Sequence, residues 1–183
     1  CDHDIDNILQ IENVLKPVIQ NNDTLLIIAN CSANVVNTLA ANVMRNNLKL
    51  CNVSAPSFGY KQHELMQDIA LSVGAKYFSE ATGDDLSLLN IGDLGHADKI
   101  IAGKHNTVLI KNAEPTEEVK ERIKQLQEAK ENTAEQVDRK FISERIASLA
   151  GAIGCIYVGG NSDVEQKEKF VRVDDSVCAV RSA

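Results

Sequence analysis

The stretch LKLCNVSAPSFGYKQHELMQDIALSVGAKYFSE, residues 48–80, constrains the fold more than any other part of the chain. An apolar run from Leu48 to Val53 stops at a Pro-Ser-Phe-Gly loop. Helical periodicity starts near Tyr60, and Gly74 ends it before a second short apolar run. Strand, glycine loop and helix in that order is how many nucleotide sites are built. The loop itself lacks what a phosphate cradle needs. Gly59 is its only glycine, Tyr60 and Lys61 follow it, and neither G-x-G-x-x-G nor G-K-[ST] occurs. The loop therefore reads as a turn, in which Pro56 and Gly59 redirect the chain and Phe58 plugs the core.

The same grammar recurs on either side. Ile8, Ile11, Leu15, Val18 and Ile19 fall at helical spacing. Pro17 interrupts them, starting a turn, kinking the helix or sitting in its first turn. Residues 24–30, TLLIIAN, read as a short buried strand. Ser32 is a cap for a second helix carrying Val35, Val36, Leu39, Val43 and Met44. Residues 97–113 read as two strands about Gly103 to Asn106, a hairpin. Val119, Ile123 and Leu126 stripe a charged helix. Thr133 and Gln136 form a capping box for the next helix, striped by Val137, Phe141, Ile142, Ile146 and Leu149, and the two make an antiparallel pair. Residues 151–160 read as a strand between glycines. Ser162 and Glu165 cap the last helix.

The chain's 183 residues suffice for a real core, which must be aliphatic because aromatics are 4% and tryptophan is absent. A net charge of -7 disfavours nucleic acid and anionic membranes as partners. No apolar stretch approaches the roughly 20 residues of a membrane span. The five cysteines are odd in number, scattered and free of C-x-x-C pairs, which points to a reduced, cytoplasmic setting. The opening CDHDIDNILQ reads as cut from something longer.

Local chemistry alone marks no active site. His3, His63, His96 and His105 share no metal-ligand spacing, so no metal is expected. A cysteine nucleophile, Cys51 or Cys155 with His63 as base, is one enzymatic reading; both cysteines lie in apolar strands, where inert buried thiols are commoner. The acids in GDD (83–85), NIGDLG (90–95) and RVDDS (172–176) read as solvated turns.

The order of motifs says more. LLIIAN (25–30), then residues 42–80, then LGHADKIIAGKHNTVLI (94–110), then residues 134–175 ending in VRVDD, resembles the group I chaperonins of the GroEL type over almost the whole chain. The resemblance implies an α/β apical-domain fold, a swivelling β/β/α arrangement with a sheet core flanked by helices, over 1–151. It implies the returning strand and helix of the intermediate domain over 152–183. The ATP-binding equatorial domain and the first apical hairpin are missing from that pattern, so a fragment is implied.

In that family the post-strand loop is structural, and two near-parallel helices offer an apolar groove to unfolded polypeptides and to the co-chaperonin. The helices map to Ile8–Gln20 and Ala33–Arg45. Leu15, Val36, Ala40 and Ala41 fall on groove positions, with Ile8 and Ile11 as further apolar candidates and Thr38, Asn42 and Arg45 as polar neighbours. Spacing alone reads Leu15 and Val36 as core; the resemblance reverses that for these two but leaves Leu39 and Val43 inward. Glu12, Pro17, Asn37, Ala40 and Ala41 depart from the family pattern and imply a shallower, more polar groove. Asp175 matches the family's catalytic aspartate, which acts on ATP and Mg only in the full-length assembly of seven-membered rings; this stretch alone needs no cofactor. A divergent paralogue with a specialised client or a moonlighting ligand is the rival reading.

Overall fold

The computed structural model describes residues 1–46, 48–103, 106–151, 154 and 156–182. Contacts divide the chain into two compact units, Cys1–Gly151 and Ala152–Ala183.

The first unit opens with an extended segment in which Ile5 bridges Cys31 in parallel; the Ile5 N–H donates to the Asn30 carbonyl at 2.8 Å. A 3-10 turn, η1 (Ile8–Ile11), follows, capped by the Asn7 side chain on the Leu9 N–H at 3.0 Å. It leads into α1 (Glu12–Asn21). Pro17 lies inside α1, beyond its first turn, so it neither starts a turn nor occupies the N-terminal position. There it removes the backbone bond to the Asn13 carbonyl, yet the helix continues to Asn22, which closes it in the left-handed conformation.

β1 (Leu25–Ile28), α2 (Ala33–Asn46) and β2 (Leu50–Val53) form a β-α-β unit. The strands run parallel with Leu25 opposite Leu50 and Ile28 opposite Val53. Parallel strands need a crossover, and α2 supplies it, with the Ser32 hydroxyl 3.5 Å from the Val35 N–H at its start. α3 (Tyr60–Val73) ends at Gly74, whose φ of 75° is the left-handed cap that glycine adopts without strain. Two further 3-10 turns, η2 (Leu86–Leu88) and η3 (Ile91–Asp93), precede the hairpin of β3 (Lys99–Ala102) and β4 (Thr107–Ile110). The hairpin pairs Ala102 with Thr107, as the sequence predicts. The mixed α/β class holds, but the sheet core expected from the sequence is, among the described residues, two separate two-stranded sheets.

α4 (Glu117–Asn132) and α5 (Gln136–Leu149) pack on each other through Val119, Ile123, Leu126, Ile142, Ile146 and Leu149, joined by Leu71 of α3. The other apolar cluster gathers Ile5, Ile11, Leu15, Ala29, Val35, Leu39, Phe78 and Leu86. In the second unit, α6 (Asp163–Ser182) starts with the Ser162 hydroxyl accepting from the Glu165 N–H at 3.3 Å, while the Glu165 carboxylate reaches the Asn161 N–H at 2.9 Å.

Four local expectations are overturned. Phe58 does not plug the core: it is 89% exposed. Ser57 and Gly59 both take positive φ, 62° and 63°, and this double reversal turns the ring outward; Phe78 fills the core instead. Thr133 does not cap α5. Its hydroxyl donates back to the Ala129 carbonyl at 2.7 Å, satisfying an orphan acceptor at the end of α4, and Glu135 precedes α5 without a side-chain cap. Val137 is exposed rather than part of the packed stripe. The strand expected over 151–160 does not appear among the described residues there; Cys155 lies outside them. No other strand is described in Ala152–Ala183 to pair with it, and an unpaired strand leaves its backbone groups without partners.

These placements separate two phenylalanines. Phe58→Ser is expected to change unfolding free energy by no more than about 0.5 kcal/mol, whereas Phe78→Ala costs about 3–5 kcal/mol, both read from urea denaturation followed by circular dichroism.

Candidate functional site

α2 presents an outward face because its inward stripe, Val35 and Leu39, is buried in the core. Val36, 40% exposed, and Ala40 stand one turn apart on the outside, with Ala41 exposed beside them. Thr38 and Asn42 are half-buried and hydrogen-bond along the helix. Thr38 donates to the Asn34 carbonyl at 2.8 Å, Asn42 to the Thr38 carbonyl at 2.8 Å, and Asn46 to the Asn42 side chain at 3.0 Å. Arg45 is exposed at the C-terminal end, where a cation suits the helix dipole. Val43 is half-buried.

α1 behaves differently. Leu15, expected to face outward, is 7% exposed and packs in the same cluster as Leu39 and Phe78. Ile11 is buried too, and Ile8 packs against the cluster half-buried. The reason is helical phase: Ile11, Val14, Leu15 and Val18 make one buried stripe. The outward face of α1 carries an ion pair, Lys16 Nζ to Glu12 at 2.8 Å. So the structure leaves Val36, Thr38, Ala40, Ala41, Asn42 and Arg45 together on α2, and withdraws Ile11 and Leu15 into the core.

Two polar clusters escaped the sequence reading. Glu64 and Asp68, four residues apart on α3, meet Arg122 of α4 and Arg145 of α5. Arg145 grips Asp68 through Nε at 2.6 Å and Nη2 at 3.0 Å and reaches Glu64 at 2.6 Å; Arg122 bonds Glu64 at 2.9 Å and Asp68 at 3.2 Å. Burial opposes the Arg145 charge, but the Asp68 and Glu64 carboxylates outweigh it and hold the guanidinium above its ordinary pKa. The i, i+4 spacing of the two acids puts them on one face of α3 but does not by itself distinguish a buried pair from a solvated one.

The second cluster surrounds Asp2. Its carboxylate accepts from the Tyr77 hydroxyl at 2.8 Å, the Ser79 hydroxyl at 2.8 Å and the Glu80 N–H at 3.0 Å, and lies 3.2 Å from His63 Nδ1. Desolvation pushes the Asp2 pKa up, and the bonds from Ser79, Tyr77, Glu80 and His63 overcome it to leave the carboxyl lowered to about 2. The same surroundings, burial first and Asp2 second, push the Tyr77 phenol well up. The Ser79 side chain is buried and its hydroxyl already committed, so the group ties the chain's opening segment to the first turn of α3 and to the segment that follows the helix, and offers no free nucleophile.

The thiol reading fares no better. His63 engages Asp2 and Tyr77, and Cys51 is exposed, not buried as expected, its sulfur 3.9 Å from the Asn52 carbonyl. Among the described residues no group of three or more histidine, cysteine or acidic side chains is placed to hold a metal ion. Asp175 lies exposed on α6. No helix of the described residues is long and apolar enough to cross a membrane.

The fold is that of part of a chaperonin: over 100% of the chain it matches a solved chaperonin with a TM-score of 0.68 at 23% sequence identity. That structure is the chaperonin gp146 from the bacteriophage EL 2 (Pseudomonas aeruginosa), determined in the presence of ATP-BeFx, and this chain spans 37% of its length. No protein-family model matches the chain. The chaperonin resemblance carried by the motif order is thus borne out in the fold.

The Asp2 cluster makes a pH prediction. A carboxyl held below its unfolded value of about 3.9 stabilises the fold above that pH, and the contribution fades as pH falls toward about 2. Asp2→Asn is therefore expected to lower the melting temperature at pH 7, with the gap to the parent chain closing between pH 4 and pH 2, as measured by thermal unfolding across that range.

Proposed function

We propose that the chain is the polypeptide-binding, apical portion of a chaperonin, together with part of its intermediate domain, and that it captures non-native chains on the outer face of α2. The observation that carries this is the match of the entire chain to a chaperonin structure. The exposed Val36, Ala40 and Ala41 suit the task. Burial of apolar area is non-directional and indifferent to client sequence, at about 25 cal/mol per Å². Thr38, Asn42 and Arg45 add hydrogen-bond donors beside that strip. The whole protein, on this reading, also engages a co-chaperonin at the same face, assembles with copies of itself in rings, and hydrolyses ATP with Mg and the help of Asp175.

One observation favours a narrower variant of this reading. Ile11 and Leu15 are in the core, Glu12 and Lys16 are paired on the outside of α1, and alanines stand at positions 40 and 41. The apolar strip is short, so a specialised client is the second reading, distinguished by tight binding of one partner and poor binding of unfolded proteins in general.

The test is the affinity of the chain for a reduced, carboxymethylated unfolded protein, measured by fluorescence anisotropy. Val36→Glu is expected to weaken it by about tenfold or more without altering the circular dichroism spectrum. Unchanged affinity in that variant removes α2 from the account, and no binding by the folded parent chain replaces general capture with the specialised reading.

A further inference from the structure

The turns between α3 and β3 hold a feature that the α2 face does not use. η1, η2 and α1 pack side by side, and the Asn13 amide of α1 donates to the Ser87 carbonyl of η2 at 2.7 Å. η3 also packs against α1. η1 and η2 each send aliphatic side chains both inward and outward, while η3 buries none. Ile8, Leu86 and Leu89 join the core cluster, while Leu9 is 64% exposed, Leu88 68% and Ile91 45%. Three large aliphatic side chains on adjoining turns, all presented to solvent, exceed the single scattered leucines of an ordinary surface.

Carboxylates border these side chains. Asp85 caps η2, accepting from the Ser87 N–H at 2.9 Å, and Asp93 closes η3, accepting from the Asn90 N–H at 3.0 Å. Asp6 precedes η1, exposed, and Asp84 stands next to Asp85. Lys16 of α1 is already paired with Glu12, and Lys76, whose charge acts on Asp84, has its ammonium over the Phe78 ring. The hydrogen bonds that fix Asp85 also hold its carboxyl below the usual range, so it is charged at neutral pH. The capping bonds leave each carboxylate with further acceptor capacity.

We propose that Leu9, Leu88 and Ile91, with Asp6, Asp85 and Asp93 at their margin, form a second docking surface whose occupant is a short polypeptide segment bearing two or three aliphatic side chains flanked by lysine or arginine. Charge complementarity selects that occupant. An acidic or neutral apolar segment would bury aliphatic area against unmatched carboxylates, whereas a cationic one pairs with them while its aliphatic groups cover the leucines. The surface lies on turns capped by their own side chains, so little ordering accompanies binding. It shares α1 with the fold beneath the proposed α2 face but uses none of the α2 residues, so it extends the client chemistry toward cationic segments rather than restating general capture.

The probe is a fluorescein-labelled twelve-residue peptide with alternating leucine and lysine, titrated into the full 183-residue chain, with a glutamate-for-lysine version as control. The lysine peptide is expected to bind, to lose affinity steeply as salt rises, and to weaken by about tenfold or more in the Leu9→Ser, Leu88→Ser double variant, a larger loss than in Val36→Glu. Leu9 and Leu88 are exposed, so the double variant is expected to keep the parent spectrum. Equal affinity for the glutamate peptide, or loss of binding in Val36→Glu but not in the double variant, overturns the proposal. So does concentration-dependent self-association, by sedimentation velocity, that the double variant abolishes, since that makes a second copy of the chain the occupant. Failure of the Val36→Glu test on unfolded protein, with the double variant still defective for the lysine peptide, would count against the α2 reading alone.

Discussion

The buried contact of Glu64 and Asp68 with Arg122 and Arg145 is the constraint on which the arrangement of the first unit rests. Two apolar clusters fill that unit, one beneath α1, α2 and the parallel strands and one between α4 and α5. α3 stands between them with only Leu71 in the second cluster and none of its residues in the first. Apolar packing is tolerant of small shifts, but a bidentate guanidinium–carboxylate contact is not. Arg145 on Asp68 fixes where α5 lies along α3, and Arg122 does the same for α4. Removing one partner of such a set leaves buried charge without compensation and costs about 3–5 kcal/mol, while replacing the whole set by apolar groups is often neutral. The network therefore sets position more than it adds stability. Next to Glu64 on α3, His63 ties the chain's opening segment to the same helix through Asp2, and Phe78 carries the segment after α3 into the first cluster.

That arrangement explains which surfaces are left over. With its Val35–Leu39 stripe committed to the core, α2 presents Val36, Ala40, Ala41 and Met44 outward. With its Ile11–Leu15–Val18 stripe committed as well, α1 shows a paired glutamate and lysine, with Asn13, Ile19 and Gln20 also exposed. The same economy operates in the 3-10 turns, where Leu86 and Leu89 go in and Leu88 stays out.

The sequence was legible where local rules decide. The β-α-β unit, the hairpin at Gly103 to Asn106 and the glycine stop at Gly74 follow from periodicity and from residues that take special backbone angles. It was misleading where tertiary contacts decide. Phe58 and Phe78 look alike in one dimension, and only the paired positive φ values at Ser57 and Gly59 send the first outward. Thr133 fits a cap for either helix, and the unpaired carbonyl at the end of α4 claimed it. Leu15 illustrates the conflict between resemblance and spacing: the helical stripe read it as core, the family pattern as groove, and burial sided with the stripe. Arg145 and Asp68 carry no periodic signal that separates a buried pair from a solvated one. The order of the short apolar runs and turn residues carried the chaperonin likeness even though identity to the matched structure is 23%.

The central claim is that a chaperonin-like scaffold displays a polypeptide-binding face on the outside of α2. The most direct measurement is chemical-shift mapping of the isotopically labelled chain during titration with an unfolded protein. The account expects perturbations concentrated at Val36, Thr38, Ala40, Ala41, Asn42 and Arg45, with Leu15 and Leu39 shifting little because they are enclosed. Perturbations centred on other elements, or none at all while the spectrum stays that of the folded chain, would contradict it.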